Sequence, residues 1–464
     1  MNKRLFFTLL LSIQTLLLAD YTLVDGKRAS SKIDHMPKNK VADMSKVPQD
    51  PAYYAKQIKT MPYSKQLKLD KEYNKKFFKP WSLKKMDKPL SEMTWPFRSV
   101  SKGKIYDSKG RIISSSTYRQ WTGNANFSKL DSIHQRGITT KHINVRALPT
   151  RRPFYHNPRK AGEGFPFDYN QNTSYHMNTP LYISHYSKDR KWAYVRGSAA
   201  YGWIEVSGMA VVNSDFIKKF KNKDYAVVVR DNLKLYNDKK QVSIVKLGSI
   251  FPVTKVTIEV SQSEKKKGEN EKKSITKTGY LFAERGSNGK AILKTATVQK
   301  SGMLAKKPIA FTPQNAAMIA KQFYNEPYGW GGLLQTRDCS STTKDYFSVF
   351  GIFLRRNSSK QAKDGYTTNI RGISKSKKKK TIISKAKPFQ SLLYVPGHIV
   401  LYMGHYKGEP VIMHTYWGAR LKNGSKHVLG RTVVTTTEPG KELRNIKETS
   451  KLANTLQKIV TFGG

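Results

Sequence analysis

One cysteine stands among 464 residues, Cys339, inside the run QTRDCSSTTKDYF (335–347). A helix is expected to begin at this residue. Unpaired backbone amides and the positive end of a helix dipole stabilise a thiolate there. To act as a nucleophile, the thiolate needs a base within hydrogen-bond reach and a third group that holds the base in its useful tautomer.

Two histidines can supply both. The runs HIVLYMGHY (398–406) and PVIMHTYW (410–417) alternate like strands and form a hairpin through Lys407 and Gly408. A loop centred on Tyr406 sets His398 opposite His414 on one face, and a shift of two residues leaves them diagonal. A plain two-residue turn would put them on opposite faces, so a triad of Cys339, His398 and His414 requires a connection of odd length. Singly, a strand histidine is ordinarily a satisfied or exposed residue, and a free cysteine a small buried one. Zinc is the rival use of such a cluster, but with no carboxylate nearby these three are poor ligands, and no metal or organic cofactor is implied. Asp338 points away from the thiol by its place in the chain and suits an ammonium group better.

The surrounding elements must position this set. PQNAAMIAKQFYN (313–325) reads as an amphipathic helix with Ala316, Ile319, Ala320 and Phe323 on one face. The helix opened by Cys339 turns Tyr346, Phe347 and Phe350 to the core and ends at Gly351. Upstream, 137–213 and 223–300 consist of short alternating runs between Pro, Gly and Asn turns, as in small antiparallel barrels, with a short helix, NSDFIKKFKN, between them. Residues 47–136 read as helical and irregular, too small for an independent core, and 20–46 as a flexible lead. KSKKKK (375–380) reads as a solvated loop. The expected fold class is multidomain: two small all-β SH3-like barrels, then an α+β domain over 303–464.

Residues 1–19 have the layout of a signal peptide: a basic head, an apolar run over 5–18 and Ala19 for cleavage. The run is short for a membrane span, so an exported chain without a transmembrane segment is expected, periplasmic or extracellular. The 84 Lys and Arg against 32 Asp and Glu give a net charge of +52, which points to a polyanionic partner. The lysines are spread along the chain without a zinc-finger, helix-turn-helix or RNA-binding signature. An acidic envelope surface therefore fits better than nucleic acid.

Five motifs in order, YGWGG, DCSS, FSVFGIFLRRNSSKQ, GHIVLYMG and VIMHTYWG, resemble the NlpC-type cell-wall cysteine peptidases. The likeness is greatest to the branch with an N-terminal stabilising segment and two bacterial SH3-like domains. The resemblance implies a papain-like peptidase domain and γ-D-glutamyl-L-diamino-acid endopeptidase activity on peptidoglycan stem peptides. It implies Cys339 as nucleophile, His398 as base, His414 as the residue that orients the base, and Tyr328 as an oxyanion partner. It further implies that Asp338, Ser340 and Ser358, with Glu163 and Tyr201 from the first SH3-like domain, bind the free amine of an N-terminal L-alanine. Three departures stand out: Ser341 where glycine is usual, the loop LRRNS, and a basic stretch over 371–387 before His398. The alternatives are a catalytically impaired wall-binding scaffold and another acyl transfer, amidase or transpeptidase, on the same fold.

Overall fold

The computed structural model describes residues 38–99, 103–237, 240–262, 271–298 and 301–463. The expected signal peptide and the first part of the lead lie outside the described residues. The end of the lead is a strap rather than a free tail. Asn39 donates its N–H to the Val428 carbonyl, and the Asp43 carboxylate accepts from the Thr436 amide and hydroxyl at 2.7 Å each. Its polar residues pair with a sheet edge, which composition alone does not distinguish from solvation.

Helices α1 (Pro51–Ala55) and α2 (Tyr63–Phe78) follow. Asp50 caps α1 by accepting the Ala52 N–H, and Pro51 occupies the first turn, where its missing donor costs nothing. Gln66, Asp70, Tyr73 and Phe77 form the buried face of α2 at helical spacing. This segment has no core of its own: Tyr73, Phe77, Phe78 and Trp81 join one cluster with Phe220 and Tyr225 downstream and with Phe347 and Phe350 of the C-terminal domain. Gln66 ties the same domains together by donating to the Phe350 carbonyl at 3.0 Å and accepting from the Phe311 N–H at 3.0 Å.

The first β domain is a seven-stranded antiparallel sheet, β1 (Gln135–Thr139), β2 (Ile143–Arg146), β3 (Gln171–Tyr175), β4 (Pro180–Tyr186), β5 (Trp192–Arg196), β6 (Tyr201–Glu205) and β7 (Met209–Val211), ordered β3-β2-β6-β5-β4-β1-β7. Helix α3 (Ser214–Phe220), capped by Asn213, leads into a second β region. There β8 (Tyr225–Val228), β11 (Ile250–Gln262), β12 (Glu271–Arg285), β13 (Ala291–Ala296) and β14 (Leu304–Lys306) form a sheet ordered β13-β12-β11-β8-β14, beside the hairpin of β9 (Leu233–Asn237) and β10 (Lys240–Val245).

The C-terminal domain packs helices α4 (Pro313–Lys321), α5 (Cys339–Val349), α6 (Ser358–Gln361) and α7 (Lys375–Lys385) with a six-stranded antiparallel sheet. Its strands β15 (Tyr366–Asn369), β16 (Ser391–Val395), β17 (His398–Tyr406), β18 (Glu409–Arg420), β19 (Lys426–Thr436) and β20 (Lys458–Thr461) run in the order β15-β20-β16-β17-β18-β19. The run expected as a solvated loop, KSKKKK, is instead the first half of α7, capped by Ser374. Lys378 is buried and donates to the Asn454 carbonyl at 2.7 Å, and Lys379 pairs with Glu409 at 2.7 Å. Long alkyl stems let lysines line a packed helix while their heads find acceptors.

The hairpin corrects a second expectation. Tyr406 pairs with Glu409, so the turn is the plain two-residue one, with Lys407 and Gly408 both at positive φ (47° and 76°), as a tight hairpin requires. The missing odd residue is a β-bulge: the register shifts between Tyr402 and Gly404, and from there Tyr402 faces Ile412 and Leu401 faces Met413. That single extra residue returns His398 and His414 to one face. Gly404 sits at φ 130°, and a Cβ there would meet Gln57 Oε1 at 2.4 Å. The Gln57 amide lies so close because it serves as a ladder rung for the end of β17 that runs past β16, donating to the His405 carbonyl at 2.8 Å and accepting its N–H at 2.9 Å.

Candidate active site

Cys339 is the first residue of α5 and is 9% exposed. Asp338 caps the helix by accepting the Ser341 N–H at 2.9 Å, and Ser341 returns the bond by accepting the Asp338 N–H at 2.8 Å. This capping box explains the serine in place of glycine: Ser341 closes the helix start instead of weakening it. Thr342 and Thr415 share a hydroxyl hydrogen bond of 2.6 Å that fastens α5 to β18. The backbone N–H of Ile399, the residue after His398, lies close enough to the thiol to favour its ionised form.

His398 Nε2 lies 3.0 Å from His414 Nδ1, and His414 Nε2 lies 3.1 Å from the Thr435 hydroxyl. His414 is 1% exposed and stacks on Tyr416 with ring centroids 4.8 Å apart. The three residues expected as a triad thus share one neighbourhood, although among the described residues the thiol and the His398 imidazole share no hydrogen bond. Catalytic contacts of this kind commonly tighten only when substrate binds. Tyr328 is buried against Phe167 and Trp417, and burial, then the neighbouring Cys339, raises its hydroxyl well above the ordinary range.

The resting charges differ from the helix-dipole expectation. Burial, then the adjacent Asp338 carboxylate, pushes the Cys339 thiol up to about 12, against the opposing pull of the Ile399 N–H and Arg356. Burial lowers His398 to about 4 and holds His414 well below its ordinary range. The pair is therefore thiol and neutral imidazole, and a thiolate at Cys339 would have to be made by proton transfer.

The residues expected to bind an ammonium group have other partners. Asp338 does not offer a free carboxylate: besides the Ser341 N–H, Arg356 meets its two oxygens at 2.6 and 3.1 Å, and the Gly331 N–H bonds it at 3.0 Å. Arg356 also reaches the Ser340 hydroxyl at 2.8 Å, which places Ser340 beside this ion pair. Ser358 opens α6 next to its cap Asn357, and Arg355 of the same loop bonds Asp364. The altered loop LRRNS is thus a set of satisfied contacts. Glu163 accepts from the Tyr169 hydroxyl at 3.0 Å, and Tyr169 packs on Trp330 beside Phe167. Tyr201 lies elsewhere, its hydroxyl donating to the Glu92 carboxylate at 3.2 Å. Among the described residues, Glu163 and Tyr201 share no contact.

Three residues escaped sequence reasoning. Thr435 touches His414, and Arg356 neutralises Asp338; neither has a local signal, since one lies in a threonine-rich strand and the other beside a second arginine. Gly331 is the third. At φ 61°, a Cβ there would lie 2.4 Å from the Gln171 carbonyl, so only glycine lets the YGWGG loop dock on β3. No group of three or more His, Cys, Asp or Glu side chains among the described residues could hold a metal ion.

Residues 10–130 match the N-terminal NlpC/P60 stabilising domain, 153–205 an SH3 domain of the bacterial SH3b1 type, and 325–428 the NlpC/P60 family. One of the two expected SH3-like domains is thereby matched. No curated protein matches the chain. Among solved structures, an NlpC/P60 endopeptidase from Photobacterium damselae subsp. piscicida is 22% identical, with a TM-score of 0.78 over 92% of this chain and 99% of that one, and so shares the fold. An NlpC/P60 family protein from Bacillus cereus ATCC 10987 is 14% identical at a TM-score of 0.40, covering 63% of this chain and 83% of its own. A stabilising domain, an SH3 domain and a domain of the NlpC/P60 family thus follow one another in order along one polypeptide.

Proposed function

We propose that the protein is a cysteine endopeptidase that hydrolyses the bond between the γ-carbonyl of D-glutamate and diaminopimelate in peptidoglycan stem peptides. The observation that carries the reading is the placement of Cys339 at the head of α5 beside the Ile399 N–H, with the next residue back, His398, bonded to His414. As substrate binds, His398 takes the thiol proton through Nδ1, the ring nitrogen not engaged by His414, and sulfur attacks the γ-carbonyl. The Cys339 N–H and the Tyr328 hydroxyl are the donors for the oxyanion. The His398 imidazolium then gives its proton to the departing amine. A water molecule, deprotonated by the same ring, cleaves the thioester.

A preference for peptides with a free N-terminal L-alanine belongs to the same reading, but the pocket is close to neutral. An ammonium group entering it must share Asp338 with Arg356. The preference over capped peptides is therefore expected to be no more than about tenfold in kcat/KM. Export to the envelope fits this substrate, and no described helix is long and apolar enough to cross a membrane. The test is release of a free diaminopimelate amine from defined stem peptides, lost in Cys339→Ala; an unchanged rate in that variant rules the reading out.

A further inference from the structure

We infer that Thr435 is a positioning residue that fixes the tautomers of both histidines so that His398 turns a bare lone pair toward the thiol; the inference rests on the hydrolase reading above. Thr435 is buried on β19, and its hydroxyl meets two groups, His414 Nε2 at 3.1 Å and the Thr436 carbonyl at 2.8 Å. A carbonyl only accepts. The one hydroxyl proton therefore goes to Thr436, and the hydroxyl oxygen accepts from His414.

His414 must then carry its proton on Nε2, which leaves its Nδ1 as an acceptor 3.0 Å from His398 Nε2. His398 donates there. A neutral imidazole has one N–H, so Nδ1 of His398 is left free to receive the thiol proton. The opposite setting is unproductive: a hydroxyl donating to His414 would put the His414 proton on Nδ1, force His398 Nε2 to accept, and leave a proton on His398 Nδ1. Burial keeps both rings neutral, so the tautomers are well defined. The acceptor end is also anchored, because the Thr436 amide and hydroxyl both donate to Asp43 Oδ2 at 2.7 Å. The strap ahead of α1 thus holds the far end of the chain that begins at His398.

The test compares Thr435→Val, which keeps the shape and loses the hydroxyl, with Thr435→Ser, which keeps the hydroxyl. The expected result is a fall in kcat of about ten- to a hundredfold for Thr435→Val with KM within about twofold, and near wild-type rates for Thr435→Ser. Long-range proton–nitrogen spectra of histidine-labelled protein supply a readout independent of turnover. Wild type should show Nε2–H on both His398 and His414, and Thr435→Val should move His414 toward Nδ1–H. Wild-type kcat in Thr435→Val, or Nδ1–H on His398 in wild type, would overturn the inference. If wild type cut no wall peptide while the tautomers behaved as expected, the hydrolase reading would fail and the role of Thr435 in setting the tautomers would stand.

Discussion

A buried thiol beside a carboxylate is an unpromising nucleophile until a base removes its proton. Cys339 near 12 and His398 near 4 place the resting site in the neutral form throughout the physiological range. Two outcomes follow at this scale. Alkylation of Cys339 by iodoacetamide should climb roughly tenfold per pH unit from pH 8 to 10 without levelling; a plateau below pH 8 would mean a thiolate–imidazolium pair already formed at rest. The acid limb of kcat/KM should fall near pH 4, because His398 serves as base only while unprotonated, and His398→Ala should lower kcat by about 10²- to 10⁴-fold.

The bulge in β17 is the element on which the site depends. Gly404→Ala introduces a side chain at φ 130° and against Gln57, and should cost about 1–3 kcal/mol by urea unfolding. It should also lower kcat, because the same bulge sets the face of His398; unchanged stability and rate would separate the bulge from the site. The strands, the place of their connection at Lys407 and Gly408 and both histidines were legible in the sequence, since alternation and Lys-Gly are local signals, but the expected odd length of that connection was not what the turn shows. The bulge was not, because one extra residue barely alters the pattern and its partner Gln57 is 348 residues away. Helix α7 was misread for a related reason: charge dominated the composition, while the Ser374 cap and the buried Ile382 marked a helix.

Across the whole molecule, both β regions reach α5 through buried polar contacts. Arg337, 2% exposed, pairs with Asp345 at 2.7 Å, Glu326 at 2.8 Å and Asp231 of the second β region at 3.0 Å, and His176 of the first β domain bonds Asp345 at 3.0 Å. Arg337→Met would leave Glu326 buried without its cation, and Asp231 and Asp345 with only Lys246 and Lys344, and should cost about 3–5 kcal/mol. Acid should weaken the fold for a different reason. Burial holds His142, His176, His185, His398 and His414 below the ordinary 6.5. Below pH 6.5 the unfolded chain therefore binds protons that the folded chain refuses, and stability falls as pH drops from about 6.5 toward 4. A urea midpoint that stayed flat between pH 7 and 4.5 would contradict this sign. The domain order was legible because turn spacing and motif order are written locally; the strap and the Arg337 junction join residues distant in sequence and were not. The most direct measurement of the hydrolase activity is mass spectrometry of L-Ala-γ-D-Glu-diaminopimelate peptides, with and without a muramyl cap, incubated with the protein and with Cys339→Ala. Release of L-Ala-D-Glu by the native protein alone, with capped peptide cut at no less than about a tenth of the uncapped rate, is the expected result. Intact peptides in both reactions, or equal cleavage by Cys339→Ala, would contradict it.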